Sequence, residues 1–155
     1  MNEISKLLSN YNGIIKENEQ LYRNVTKALG LSDSAFWILY ALRETEGGIT
    51  QKDIINANYL PPQTINSALK KLEAEGFVEL CTVSDKRKKQ VRLTEKGEQL
   101  AAQTADRVLT IEMETMGSLT PQEQEEFLGL FRKYTDLLKK NLSILDKENI
   151  KIEQL

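Results

Sequence analysis

Histidine is absent from the 155 residues. That removes the commonest general base, the commonest metal ligand and the side chain that changes charge near neutral pH. Cysteine occurs once, as Cys81, so neither an intramolecular disulfide nor a thiolate metal cluster can form. Cys81 follows Leu80 inside an apolar run, which makes a buried structural thiol the expectation and a redox sensor the alternative. No apolar stretch approaches the ~20 residues of a membrane-spanning helix. The opening Met1-Asn2-Glu3-Ile4-Ser5 lacks the basic start and long apolar core of a signal peptide, so a cytoplasmic protein is expected. Carboxylates are plentiful, but they fall on helical surface patterns without a partnering constellation. No catalytic residue, cofactor or metal ligand is assigned, and the chain does not read as an enzyme.

What is present is a lopsided distribution of charge. Between Ser84 and Gly97, Lys86, Arg87, Lys88, Lys89, Arg92 and Lys96 face only Asp85 and Glu95, a local charge of +4 in a chain of −2. A chain that gathers its cations in one segment while staying acidic elsewhere carries an electrostatic footprint for a polyanion. A Lys-rich turn can also be no more than a solvated hairpin. The choice between the two rests on the residues upstream.

Apolar residues from Ile4 to Leu29 recur at three- and four-residue intervals and predict an amphipathic helix over 3–28 that ends at Gly30. Ser32 caps a second helix through Phe36, Trp37, Leu39, Tyr40 and Leu42, which stops before Gly47-Gly48. Its aromatics belong to the core on the simplest reading and line a ligand pocket on the other. The run from Ile49 to Ile55 predicts a third, short helix, with Thr50 and Asp53 forming a capping box. Pro61-Pro62 then opens a helix that runs to Ala74 and ends at Gly76. Ile65, Ala68, Leu69 and Leu72 form its buried stripe. Its other face carries Gln63, Asn66, Ser67, Lys70 and Lys71: small hydrogen-bonding groups near the start that suit base edges, and lysines further on that suit phosphates.

Two short helices joined by a turn fit a helix-turn-helix. Residues 77–83 and 90–93 alternate as strands and make the cationic segment a hairpin tip. Helix, turn, recognition helix and hairpin together form the winged variant, and duplex DNA becomes the expected partner. Thr94 caps a helix predicted to run unbroken from 95 to 116. Leu119-Thr120-Pro121-Gln122-Glu123 opens a final helix to about residue 147. The first helix and these two present more apolar length than one winged domain covers, and a second copy of the chain is the economical partner. A two-fold dimer would set two recognition helices about one DNA turn, ~34 Å, apart on a palindromic site. The fold class is therefore mostly α with a small β-hairpin wing, a winged helix-turn-helix over 31–94 with a helical dimerisation region over 1–30 and 95–155.

The pattern Asp85-x-Arg87-x-x-x-Val91-x-Leu93-Thr94-x-x-Gly97 resembles the wing signature of MarR-family transcription regulators. Leu69-x-x-Leu72-Glu73-x-x-Gly76-Phe77-Val78 ahead of it and Leu119-Thr120 after it extend the resemblance along most of the chain. The resemblance implies a homodimeric regulator, usually a repressor, released from a double-stranded operator by a small-molecule effector. It implies that Arg87 enters the minor groove with Asp85 orienting it. The DNA-binding set is then Pro62, Gln63, Thr64, Asn66, Ser67, Lys70, Lys71, Asp85, Lys86, Arg87, Lys88 and Lys89. It also makes Tyr11, Phe36, Trp37 and Tyr40 candidates for an effector site. Zinc-responsive members use histidines that this chain lacks, and the peroxide-sensing members compared use a cysteine near the first helix, where this chain has none. The alternative for the whole chain is a winged protein-interaction module without a dedicated operator.

Overall fold

The computed structural model describes residues 2–45, 49–58, 61–82 and 89–147. The chain divides into two compact units, Met1–Thr110 and Ile111–Leu155. In the first unit α1 (Glu3–Ala28) is followed by α2 (Asp33–Glu44), β1 (Ile49–Thr50), α3 (Gln51–Asn58), α4 (Pro62–Ala74), β2 (Val78–Thr82), β3 (Lys89–Leu93) and α5 (Glu95–Gln103). α6 (Ala105–Gly117) begins there and ends in the second unit, which holds α7 (Pro121–Lys147).

The helix boundaries follow the caps. The side chains of Asn2, Ser32 and Thr94 accept hydrogen bonds from the third residue on, at the starts of α1, α2 and α5. At the start of α7 the Thr120 N–H donates to Glu123 Oε2 at 2.8 Å, and the Glu123 N–H returns to Thr120 Oγ1 at 3.3 Å. These bonds hold the Glu123 carboxyl below its ordinary range, the Thr120 backbone N–H first and its hydroxyl second. Gly30 and Gly76 take positive φ, 71° and 75°, after α1 and α4. At α4 the Phe77 N–H reaches back to Leu72 O and the Gly76 N–H to Glu73 O, so the turn satisfies carbonyls that the helix leaves open.

The core of the first unit joins Ile38, Ala41 and Leu42 of α2 to Ile54 of α3, Ile65, Leu69 and Leu72 of α4, and Ile49, Val78 and Val91 of the sheet. Each large apolar side chain fully buried here contributes roughly 1.5–3 kcal/mol. The sheet order is β1-β3-β2, antiparallel throughout, with Ile49 opposite Val91 and Val78 opposite Leu93.

Three expectations are corrected. Ile49 and Thr50 do not start the third helix: they form a strand that pairs with β3, and the helix begins at Gln51. The predicted capping box is nonetheless formed, since the Asp53 N–H donates to Thr50 Oγ1 and the Thr50 N–H to Asp53 Oδ2. Thr50 thus ends a strand and caps a helix at once. The helix over 95–116 is broken at Thr104, whose φ and ψ are −126° and −86°. Its hydroxyl donates to Leu100 O at 2.7 Å while its N–H turns to Ala101 O, which diverts it from the ordinary i to i−4 ladder. Cys81 is half-buried rather than buried, because strand alternation puts it on the same face of β2 as the exposed Glu79. Its thiol donates to Glu79 Oε1 at 3.3 Å, and that bond, then desolvation and the carboxylate's charge, raise its pKa against a lowering effect of Arg92. A thiol held protonated is a poor nucleophile.

A polar clamp supplements the core. The Arg43 guanidinium pairs with Glu98 of α5 and donates to Asp106 Oδ2 of α6 at 2.9 Å. Its Nε lies 2.8 Å from Asp106 Oδ1 without hydrogen-bond alignment, so charge rather than direction holds that contact. Arg43→Ala is expected to lower the unfolding free energy by about 1 kcal/mol in urea denaturation, through the loss of charge-assisted hydrogen bonds to carboxylates that are themselves partly exposed. An unchanged midpoint would mean that the clamp adds nothing.

Candidate nucleic-acid interface

α4 follows α3 after a short connection, and its buried stripe of Ile65, Leu69 and Leu72 turns the opposite face to solvent. At about 100° per residue, Gln63, Ser67 and Lys70 centre on that face, with Thr64 and Lys71 on one shoulder and Asn66 on the other. Pro62, Gln63, Thr64, Ser67, Lys70 and Lys71 are exposed, and Asn66 is half-buried. Lys71 lies 4.0 Å from Glu75, an exposed pair one helical turn apart that contributes little to stability. Pro62 stands in the first turn, where a missing N–H costs nothing.

Between α4 and the hairpin runs an open groove of about 200 Å³. Leu69, Val78, Leu80 and Val91 form its apolar floor, and Gln51, Asn66, Lys70 and Glu73 its polar edge. The hairpin brings Thr82 opposite Lys89 at its open end, where the cationic segment attaches. Lys89 is exposed at the start of β3; Asp85, Lys86, Arg87 and Lys88 lie outside the described residues.

The hairpin's base is fixed to the end of α4 by residues that the sequence reading did not single out for this purpose. Thr94 Oγ1 donates to Gly76 O at 2.6 Å, and the Thr94 N–H donates to Phe77 O at 3.1 Å. Lys96 Nζ reaches Glu75 O at 2.7 Å and sits 4.4 Å from the centre of the Phe77 ring. Gly97 packs directly on the Phe77 carbonyl. Leu93-Thr94-x-x-Gly97 is thus a joint that holds the wing against α4. Its role could have been suspected from a glycine in the first turn of a helix, a place that otherwise favours almost any other residue.

Of the effector candidates, Phe36 is fully buried, and Trp37 and Tyr40 are half-buried. Their rings, with that of Tyr22, lie 5.0–5.9 Å apart, centre to centre. Tyr11 is half-buried on α1, the helix that carries Tyr22. Among the described residues no group of three or more Cys, Asp or Glu is placed to hold a metal ion. No described helix is long and apolar enough to cross a membrane.

A helix-turn-helix followed by a β-hairpin, with β1 completing the sheet, can be set beside known proteins. The sequence profile of the MarR family matches residues 29–89. Over 119 residues, 77% of this chain and 82% of the relative, the chain is 34% identical to the uncharacterized HTH-type transcriptional regulator YwoH of Bacillus subtilis (strain 168). The chain belongs to the MarR family. In shape it is similar to NMB1585, a MarR family regulator from Neisseria meningitidis, with a TM-score of 0.71 and 25% identity over 92% of this chain and 98% of that one. It also shares its fold with Bordetella bronchiseptica BpsR, whose structure concerns regulation of DNA binding by 6-hydroxynicotinic acid. That match has a TM-score of 0.60 and 23% identity over 81% of this chain and 98% of that one. As a MarR-family protein the chain is a winged-helix, DNA-binding transcription regulator, with α3 and α4 as its helix-turn-helix and β2–β3 as its wing.

Proposed function

We propose that this regulator binds a palindromic operator as a homodimer, represses from it, and is released by a small-molecule effector. The observation that carries the reading is the polar outward face of α4 beside a hairpin that holds the chain's cationic segment. The base of the wing is tied to the end of α4 by Thr94 and Lys96, and helix and wing together address a major groove and an adjacent minor groove. Gln63, Thr64, Asn66 and Ser67, with Pro62 setting the helix start, approach base edges. Lys70, Lys71, Lys86, Lys88 and Lys89 neutralise phosphates. Arg87 enters the minor groove and Asp85 orients it.

The dimer rests on apolar surface that the single chain leaves uncovered. On α1, Ile4, Leu7, Leu8, Ile14 and Leu21 are exposed, and on α7 the exposed stripe runs from Phe127 through Phe131 and Leu138 to Leu145. Patches of this length are interaction surfaces in a protein that stays dispersed, and a second copy of the chain is the economical partner. The effector reading draws on the aromatic group of Phe36, Trp37 and Tyr40, with Tyr11, and on the small aromatic acid named for BpsR. A ligand there shifts DNA affinity only by binding two conformations unequally.

Arg87→Ala is expected to weaken operator binding by roughly 1–3 kcal/mol, and Lys88→Ala to lower the slope of log affinity against log salt by about one. Gel shifts over a salt series read both effects. Binding that depends on salt but is equal for every sequence would favour the protein-interaction module over a dedicated operator reader.

A further inference from the structure

Asn66 stands where the outward face of α4 meets the groove toward the hairpin, and it is held from outside its own helix. Its amide oxygen accepts a hydrogen bond from Nε2 of Gln51, the first residue of α3. Both side chains are half-buried, and the Asn66 amide nitrogen has no partner among the described residues. An asparagine amide has one accepting end and one donating end. Paired reading of adenine N6 and N7 uses both ends. A donor alone meets O6 and N7 of guanine or O4 of thymine, and finds no acceptor on the major-groove edge of cytosine.

We infer that Gln51 is a specificity-determining positioning residue: by occupying the oxygen of Asn66 it turns the amide NH2 outward. At one position of each half-site α4 then reads an acceptor-rich base edge, guanine foremost. Gln51 itself touches no base. It selects which end of Asn66 does, and the bond that joins α3 to α4 thereby becomes part of the recognition code. This inference rests on the reading of α4 as the helix that contacts bases.

The test is selection of bound duplexes from a random pool by the full chain and three variants, each first shown to unfold at a temperature near that of the wild type. Asn66→Ala should lose the preference at a single position per half-site. Gln51→Glu is the decisive variant, because a carboxylate only accepts and so obliges Asn66 to turn its NH2 inward and present its oxygen. The preferred base at that position should change from guanine or thymine to cytosine, whose edge offers a donor and no acceptor, by about tenfold in relative enrichment. Gln51→Lys, which only donates, should keep the wild-type base. If Gln51→Glu lowers affinity evenly and selects the wild-type sequence, the side chain is merely structural and the inference is overturned. An unchanged motif with Asn66→Ala overturns it as well. A wild-type chain that enriches no motif at all fails earlier, at the reading of α4, and is told apart by that.

Discussion

Gly97→Ala is expected to cost more than about 4 kcal/mol and to leave the winged unit largely unfolded, against a total stability of about 5–15 kcal/mol for a domain. A Cβ at residue 97 would lie 1.8 Å from the Phe77 carbonyl oxygen and 2.9 Å from its carbon. Both neighbours are backbone, so no rotamer relieves the contact. The strand that would have to move is pinned by the Thr94 bonds to Gly76 and Phe77 and by the left-handed turn at Gly76. Gly117→Ala supplies the control: a Cβ there meets nothing within 4 Å, and the change should shift stability by less than about 1 kcal/mol. Thermal and urea denaturation read both variants. A Gly97→Ala protein with the wild-type midpoint would mean that the joint between wing and α4 is loose.

The pair Leu130→Asp, Leu137→Asp should abolish the proposed dimer while leaving the winged unit folded. The two positions are seven residues apart on one face of α7, and both are exposed in the single chain. In a two-fold assembly each substitution acts twice. With roughly 1.5 kcal/mol or more lost per buried leucine, the loss reaches about 6 kcal/mol, or four decades in the dissociation constant. Buried carboxylates add to it. Sedimentation should show a monomer, circular dichroism should keep its helical signal, and operator binding should fall sharply because one half-site supplies half of the contacts. Lys139→Glu, about 180° around α7 from Leu130, should leave the dimer intact. A double variant that still sediments as a dimer would place the interface elsewhere.

Much of this fold is written locally, and those parts were legible. Caps, C-terminal glycines and apolar stripes are properties of a few consecutive residues, and Ser32, Gly76 and the Thr120–Glu123 box take the places that their chemistry dictates. The elements that escaped depend on distant partners. Ile49 is a strand residue only because Val91 lies across from it. Thr104 breaks a helix that its neighbours favour, and it does so from a buried position. Arg43 reads as an ordinary last-turn cation until Glu98 and Asp106 are brought to it.

The candidate site divides in the same way. The exposed face of α4 followed from helical periodicity alone. The grip of Gln51 on Asn66 did not, because 15 residues separate them and nothing in a helix's first position announces a role in base reading. The cationic segment was conspicuous by charge. The joint beneath it was hidden in the pattern Leu93-Thr94-x-x-Gly97, where the recognisable signature and the physical reason for it proved to be different things: the first concerns the wing, the second a carbonyl too close for any side chain.

The most direct measurement of the central claim is selection of duplexes from a random pool by the wild-type chain. A dimer that presents two α4 helices one turn apart should enrich an inverted repeat with half-sites centred about 10 bp apart, and the enriched duplex should bind far more tightly than its scrambled counterpart at the same salt. Enrichment of no sequence, with affinity that depends on salt alone, would contradict it.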